Sequence, residues 1–279
     1  MATFFADNSY MGALAFDVGE VSTRGGFAGD AEPRATFSST IVLGLPPALA
    51  GNGAQWGTIE DDAHLSDTTV SGLDARPLYP EGASQSDDWV LARLLEHGLC
   101  RLGCNTWSEH PLILSEFTGA SPTARRQTAE IVFEELGAPA LCVVRAAELA
   151  GISAGRPTAV VIEAGEAVTT ASCTIDGVVA PRSVCQSKLG GTLARQLFCA
   201  QAVAPTVGKL VPACLLRGAT GGAGGSVKCL ESYERFRFTE LQRALFESAA
   251  RCSEAAAAPP APPAPSHCRR RELVRCRPH

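Results

Sequence analysis

The sequence has no Cys-x-x-Cys pair, no long apolar run and no surplus of positive charge, and each absence removes a class of function. Its 11 cysteines (100, 104, 142, 173, 185, 199, 214, 229, 252, 268 and 276) are odd in number and scattered, which fits neither a disulfide framework nor a paired zinc site. Several sit in apolar runs, as Cys142 does in Ala-Leu-Cys-Val-Val, and read as buried, reduced thiols. No stretch reaches the roughly 20 apolar residues of a membrane-spanning helix. Residues 1–12 lack the basic start and apolar core of a signal peptide, so the expectation is a soluble intracellular protein. A net charge of −5 gives no general affinity for nucleic acid, which takes a basic face. Gly218–Gly225 is a glycine-rich run without the Gly-Lys-Ser ending of a phosphate loop, and reads as a plain loop. Aromatics make up only 6% against 27 glycines and 18 prolines, a compositional bias with no function attached to it.

The chain is nevertheless long enough, at 279 residues, for a sizeable core and two domains. It is organised around Ala15–Asp30, AFDVGEVSTRGGFAGD. Leu14, Ala15 and Phe16 end a buried strand; Asp17 and Gly19 then make a turn whose successive amides form a concave anion site. A second copy follows at Val160–Ala167, VVIEAGEA, with Glu163, Gly165 and Glu166 after another apolar run. Two acid-x-Gly-Glu turns on one chain point to an internal duplication: two α/β domains, each offering a hairpin to a shared cleft.

In these motifs the chain resembles actin and the actin-related proteins. DVGEVSTRGGFAGDAEPR resembles the family's first phosphate loop, with Arg24 as the basic residue seven beyond the acid, and VVIEAGEAVTTASCTIDGVV the second. His110–Glu116 (HPLILSE) and Ala129–Leu141 (AEIVFEELGAPAL) resemble a strand, then a helix and strand, of the same family. The resemblance covers about Leu14 to Glu254 and implies the actin/Hsp70/sugar-kinase fold of two duplicated α/β domains. The first would span residues 1–150, with a shortened outer subdomain at about 38–83. The second would span 151–254 and stop short of the family's C-terminal part, leaving 255–279 as an Ala/Pro linker and a basic, disordered tail.

Local signals fill in the elements. Asp87–Leu102 reads as a helix with acids at its positive end and a stripe of Trp89, Leu91, Leu94, Leu95, Leu99 and Leu102. Cys100 and Cys104 lie four apart near His97 and His110, but zinc spacing is normally tighter and paired, so no metal site is expected. Leu112–Leu114 reads as a strand. Ser121-Pro122 opens a helix that ends at Gly137, with Ile131, Val132, Phe133 and Leu136 inside and Arg125 and Arg126 on a solvated face. Leu141–Val144 is a strand, Ala146–Ser153 a helix and Thr158–Ile162 a strand; the alternation argues for mostly parallel sheets. Asp176-Gly177 marks a tight hairpin turn. A helix enters through Gly190-Gly191, and another runs from about Thr239 with Leu241, Leu245, Phe246 and Ala249 inside. Residues 38–80 show little periodicity and read as a flexible surface lobe.

IDGVVAPRSVCQSKLGGTL, KLVPACLL and ESYERFRFTELQRALFESAARCSE resemble one nuclear branch of the family, the actin-like subunit of SWI/SNF-class remodellers and of histone acetyltransferase complexes. The chain departs from that branch at Lys188, where the branch has Pro, and at Tyr233 and Phe236, where it has Trp and Tyr. The resemblance implies a nuclear, non-catalytic subunit that partners actin and a large scaffold subunit, docking on a long helix. An actin-superfamily ATPase and a cytoskeletal filament protein are the alternatives. The degenerate phosphate-loop residues would be Asp17, Gly19, Glu20, Arg24, Glu163, Gly165 and Glu166, with no catalytic residue. The family's water-positioning Gln matches Ala146, or Arg145 in a register slipped by one, and neither orients a water as an amide does. Glu20 replaces the family's small hydroxyl residue and Glu163 its Asp, so binding of ATP with Mg²⁺ is expected to be weak or absent. Beyond Ala255, His267, Cys268, Cys276 and His279 follow no zinc spacing.

Overall fold

The computed structural model describes residues 12–44, 55–58, 74–79, 86–203, 210–212 and 231–250. The first half is built on a five-stranded sheet in the order β3-β2-β1-β7-β8. β1 (Leu14–Val18), β2 (Ser22–Phe27) and β3 (Ala35–Ser38) form an antiparallel meander. β7 (Leu112–Glu116) pairs parallel to β1, and β8 (Leu141–Arg145) parallel to β7. The sheet is thus mixed, not mostly parallel: hairpin links force antiparallel pairing, and only the helical crossovers before β7 and β8 deliver parallel strands.

α1 (Asp88–Arg101) covers this sheet. Asp87 caps it, its carboxylate accepting the Val90 N–H at 3.1 Å, and Val90, Leu91, Leu94, Leu95 and Leu99 are buried as the stripe requires. The Phe16 ring is held between two glycines: a Cβ on Gly25 would lie 2.4 Å from it and one on Gly98 2.2 Å. Trp107 closes the pocket, its ring centroid 6.0 Å from that of Phe16. His97 stacks edge-on to Phe37 at 4.9 Å, and His110 Nδ1 lies 3.0 Å from the Gly12 carbonyl.

α2 (Pro122–Glu130) starts as expected, with Ser121 Oγ accepting the Ala124 N–H at 3.2 Å. It continues as a π-helical turn, Ile131–Glu135. The wider turn buries Ile131 and Val132 but rotates Phe133 outward, where it is 49% exposed, contrary to its expected place in the core. Arg125 is not simply solvated either: it forms a bidentate pair with Glu116 at the end of β7.

Between β3 and α1 the chain forms a second sheet, β5-β4-β6, from β4 (Thr40–Gly44), β5 (Gln55–Thr58) and β6 (Asp74–Pro77). The described part of the region expected to be a flexible lobe is therefore regular. Ile41 and Leu78 join the main core, which explains why a segment with so little periodicity is held.

α3 (Ala146–Ser153) leads to the second half, a four-stranded sheet. β9 (Ala159–Ala164) and β10 (Thr169–Ile175) form its hairpin; β11 (Val178–Val179) and β12 (Cys185–Ser187) pair with the other edge of β10. Asp176 and Gly177, at φ 51° and 83°, make the turn between β10 and β11, the left-handed pair that Asp-Gly favours.

α4 (Gly191–Phe198) follows, and α5 (Glu231–Ala249) starts eight residues before the expected Thr239. Its first turn explains the early start. Ser232 Oγ donates to Asp74 of β6 at 2.6 Å, and Tyr233 is 3% exposed. Farther along, Phe246 meets Phe198 edge-on at 5.5 Å, so α5 joins the small sheet to α4. Ala249, expected inside, is exposed. Of Lys209–Leu216 only residues 210–212 are described, and Gly218–Gly225, the tail and its His and Cys residues lie outside the described residues.

Candidate functional site

The two hairpins are copies in geometry as well as sequence. Leu14 pairs with Phe27 and Val18 with Thr23; a fixed offset of 146 along the chain turns these into the observed pairs Val160 with Cys173 and Ala164 with Thr169. At each tip the glycine N–H donates across the turn, Gly19 to the Ser22 carbonyl at 3.1 Å and Gly165 to the Val168 carbonyl at 3.0 Å. In both, a Cβ on the glycine would stand 2.9 Å from that same carbonyl oxygen, so only glycine closes the turn without a shift.

The side chains differ. In the first hairpin Arg24 lies 3.7 Å from Asp17, its cross-strand neighbour, with both side chains about half exposed. Ser115 Oγ of β7 donates to the other Asp17 oxygen at 2.5 Å. In the second hairpin Glu163 takes the place of Asp17 and Thr170 that of Arg24. Glu163 Oε2 and Thr170 Oγ1 are both buried with no hydrogen-bond partner.

The tips meet where Glu20 reaches the Ala167 N–H, beside Glu166. Burial, and then the neighbouring Glu166 charge, raise the Glu20 pKa, although its carboxylate accepts the Ala167 N–H and lies near Arg195 and Arg243. Glu166 is held the other way. Burial alone would raise it, but its bond to Arg195, the charges of Arg195 and Arg243, and the Thr192 hydroxyl outweigh that and lower it. Arg195 donates to Glu166 Oε1, Thr192 Oγ1 donates to the same oxygen at 3.0 Å, and Arg243 Nη2 approaches it at 3.5 Å. Arg195 is buried at 5% exposure.

The backbone brings these groups together. Gly191 N–H donates to the Gly165 carbonyl at 3.0 Å and Thr192 N–H to the Glu166 carbonyl at 2.8 Å. The first turn of α4 is thereby spent on the second hairpin. The approach is so close that a Cβ on Gly190 would lie 2.4 Å from the Glu166 carbonyl oxygen, which accounts for the Gly190-Gly191 entry.

The seven expected site residues therefore fall on two matched hairpin tips. Asp17 pairs with Arg24, Glu20 and Glu166 are near enough for their charges to repel, and Gly19 and Gly165 make the turns; Glu163 shares no described contact with the other carboxylates. Arg195 and Arg243 were not among the expected site residues. The legible signal for Arg195 was its place one helical turn after Gly191, on the face toward the hairpin; nothing in the sequence places Arg243 there. At the family's water-positioning place Arg145 caps α3, its N–H donating to Glu148 at 3.4 Å, and Ala146 is the first helical residue.

Two repeats of strand, acid-x-Gly-Glu turn and returning strand, with their tips brought together, define a duplicated α/β fold of the actin type. The actin family model matches residues 8–258, and the chain belongs to the actin family. It is similar to actin-related protein 4 of Oryza sativa subsp. indica, 25% identical over 64% of this chain and 45% of that protein. It is also similar to actin-related protein 4 of Neurospora crassa, 27% identical over 67% and 45%, and to actin-like protein 9 of Mus musculus, 28% over 64% and 42%. The chain thus spans less than half the length of these relatives. Among the described residues no helix is long and apolar enough to cross a membrane.

Proposed function

We propose that this chain is a non-catalytic actin-related subunit of a nuclear chromatin-remodelling or histone acetyltransferase assembly, acting as a structural partner of actin and of a large scaffold subunit. The observation that carries the non-catalytic part is what stands at the hairpin tips. Where a nucleotide's phosphates would meet the hairpin tips, Glu20 and Glu166 are near enough for their charges to repel, and the buried Arg195 is committed to Glu166. A phosphate there meets like charge at a cost of about 4 kcal/mol per contact near 4 Å, taking an effective dielectric of 20. Arg24, on the first hairpin, is shared by Asp17, and Arg243 reaches Glu166. The residues present do not fit a triphosphate, and neither Arg145 nor Ala146 offers an amide to orient water.

The nuclear part of the reading is supported by the branch-like motifs of Asp176–Leu193 and Lys209–Leu216, and by the several relatives named actin-related protein 4. Affinity capture of the tagged protein should recover actin and a large chromatin scaffold subunit. Recovery with cytoplasmic filaments and no chromatin subunit contradicts the reading. The alternative, an ATPase of the actin superfamily, has one observation on its side: the buried Glu163 Oε2 has no partner and is an acid able to hold a cation.

A further inference from the structure

One helix is fastened to both halves of the chain. Near its start, Ser232 of α5 is held by β6 of the small sheet: its Oγ donates to Asp74 Oδ1 at 2.6 Å and accepts the Ala75 N–H at 3.4 Å. Farther along, Arg243 Nη2 lies 3.5 Å from Glu166 of the second hairpin, and Phe246 meets Phe198 of α4 edge-on at 5.5 Å. From Ser232 to Arg243 the helix axis runs about 17 Å. That spacing also brings an α-helix round to within about 20° of where it began, so both fastenings lie on one face.

The two ends differ in what they hold. The small sheet belongs to the first half, because Ile41 of β4 and Leu78, next after β6, lie in the main core. Asp74 is fixed within that half: its Oδ2 lies 3.3 Å from Arg76 Nε, and the Arg76 guanidinium sits over the Trp89 ring of α1 at 5.4 Å. At the other end the Gly191 and Thr192 N–H groups lock α4 to the second hairpin, so Phe246 on Phe198 makes α5 a member of the second half. α5 meets the first half through a hydroxyl–carboxylate bond, with the buried Tyr233 beside it. Serine suits that place, because its hydroxyl donates and accepts at once, which neither a carboxylate nor an ammonium group does. The halves touch again at the hairpin tips, where Glu20 reaches the Ala167 N–H.

We propose that α5 is a strap with one fixed and one releasable end: it rides with the second half, and the Ser232–Asp74 bond is the latch that keeps the two hairpin tips together. With the latch broken, α5 moves off with the second half and the tips part, which frees the Ala167 N–H and returns Glu20 to solvent. Because the acceptor is a carboxylate, a negative charge at position 232 is the change that opens the latch. The strap is independent of the nuclear assignment.

Amide hydrogen exchange on the full chain, resolved to single residues by fragmentation, tests this with three variants at one position. Ser232→Ala should speed exchange about tenfold at Ala75 and several-fold at Ala167, beyond the other end of the strap, and Ser232→Asp should speed both further. Ser232→Thr, which keeps the hydroxyl, should leave both rates near those of the parent. The Gly191 and Thr192 amides, bonded within the second half, should not change in any variant. A second reading comes from the Glu20 carboxyl, which burial and the neighbouring Glu166 hold above the ordinary carboxyl pKa and which should titrate lower in Ser232→Asp. Faster exchange confined to Ala75 and the first turn of α5 would overturn the proposal, because Ser232 would then be a local cap. Unchanged exchange in Ser232→Asp would overturn it too, as would loss of protection at Gly191 and Thr192, which marks unfolding of the second half, or a Ser232→Thr chain that behaves like Ser232→Ala.

Discussion

Arg195, buried in the first turns of α4, points its guanidinium at Glu166, the last acid of the second hairpin, and Arg243 from α5 reaches the same carboxylate. One glutamate thereby ties together three elements, from positions 166, 195 and 243. Removing Glu166 strips the buried Arg195 of its carboxylate, and removing Arg195 leaves Glu166 only the more distant Arg243 and the Thr192 hydroxyl. Glu166→Ala and Arg195→Met should each destabilise the chain by about 3–5 kcal/mol in urea unfolding, whereas the pair Glu166→Leu with Arg195→Met should recover most of the loss. Single variants costing less than about 1 kcal/mol would show that the pair is solvated.

The two neighbouring glutamates should titrate with opposite signs. The Glu20 pKa is raised in the fold, so its ionisation costs stability as pH climbs from the unfolded carboxyl value, about 4.3, through the raised folded value. The Glu166 pKa is lowered, so its contribution is complete above about 4.3 and is lost as pH falls through the lower folded value. Glu20→Gln should therefore stabilise the chain at pH 7, the gain vanishing below about pH 4. Glu166→Gln should destabilise it at pH 7, with the deficit shrinking in acid. Unfolding at a series of pH values checks both; a Glu20→Gln variant less stable than the parent at pH 7 would contradict the repulsion.

Phe16 fills a slot that two glycines leave open, and the slot should not tolerate a methyl group. Gly98→Ala, placing a Cβ 2.2 Å from the ring, should cost about 1–3 kcal/mol. Phe16→Leu should restore part of that loss in the double variant, as residues that share one space are non-additive. Additive costs would mean the ring moves aside.

Most of the first half was legible in the sequence because its signals are local. Asp87 and Ser121 cap helices where an acceptor side chain meets free N–H groups, and the Leu91–Leu95–Leu99 stripe has one face to bury. Asp176-Gly177 specifies its turn by backbone freedom alone. What was missed depends on distant partners. Phe133 left the core because a π-helical turn shifts the phase of α2, which no periodicity of period 3.6 reveals. α5 begins at Glu231 because Ser232 finds Asp74, 158 residues away in sequence. The site was half legible: repeated acid-x-Gly-Glu turns locate both tips, but Arg195 and Arg243 reach them only through the fold.

The exposed face of β9 should bind hydrophobic dye. Val160→Thr with Ile162→Thr, both isosteric or nearly so and β-branched, should cut dye fluorescence and aggregation of the isolated chain while leaving its unfolding midpoint within about 0.5 kcal/mol of the parent. Unchanged dye binding would place the sticky surface elsewhere.

Under the proposed function, the chain's own carboxylates and arginines stand where the phosphates would bind, and the protein does not serve a nucleotide. Titration of the purified chain with labelled ATP and Mg²⁺, followed by assay of phosphate release, tests it most directly. No saturable binding in the micromolar range and no release above buffer is the predicted result, with Glu20→Ser, which removes one of the two neighbouring carboxylates, the variant in which any affinity should first emerge. Micromolar binding by the parent chain, with phosphate release abolished by Glu163→Ala, would contradict it.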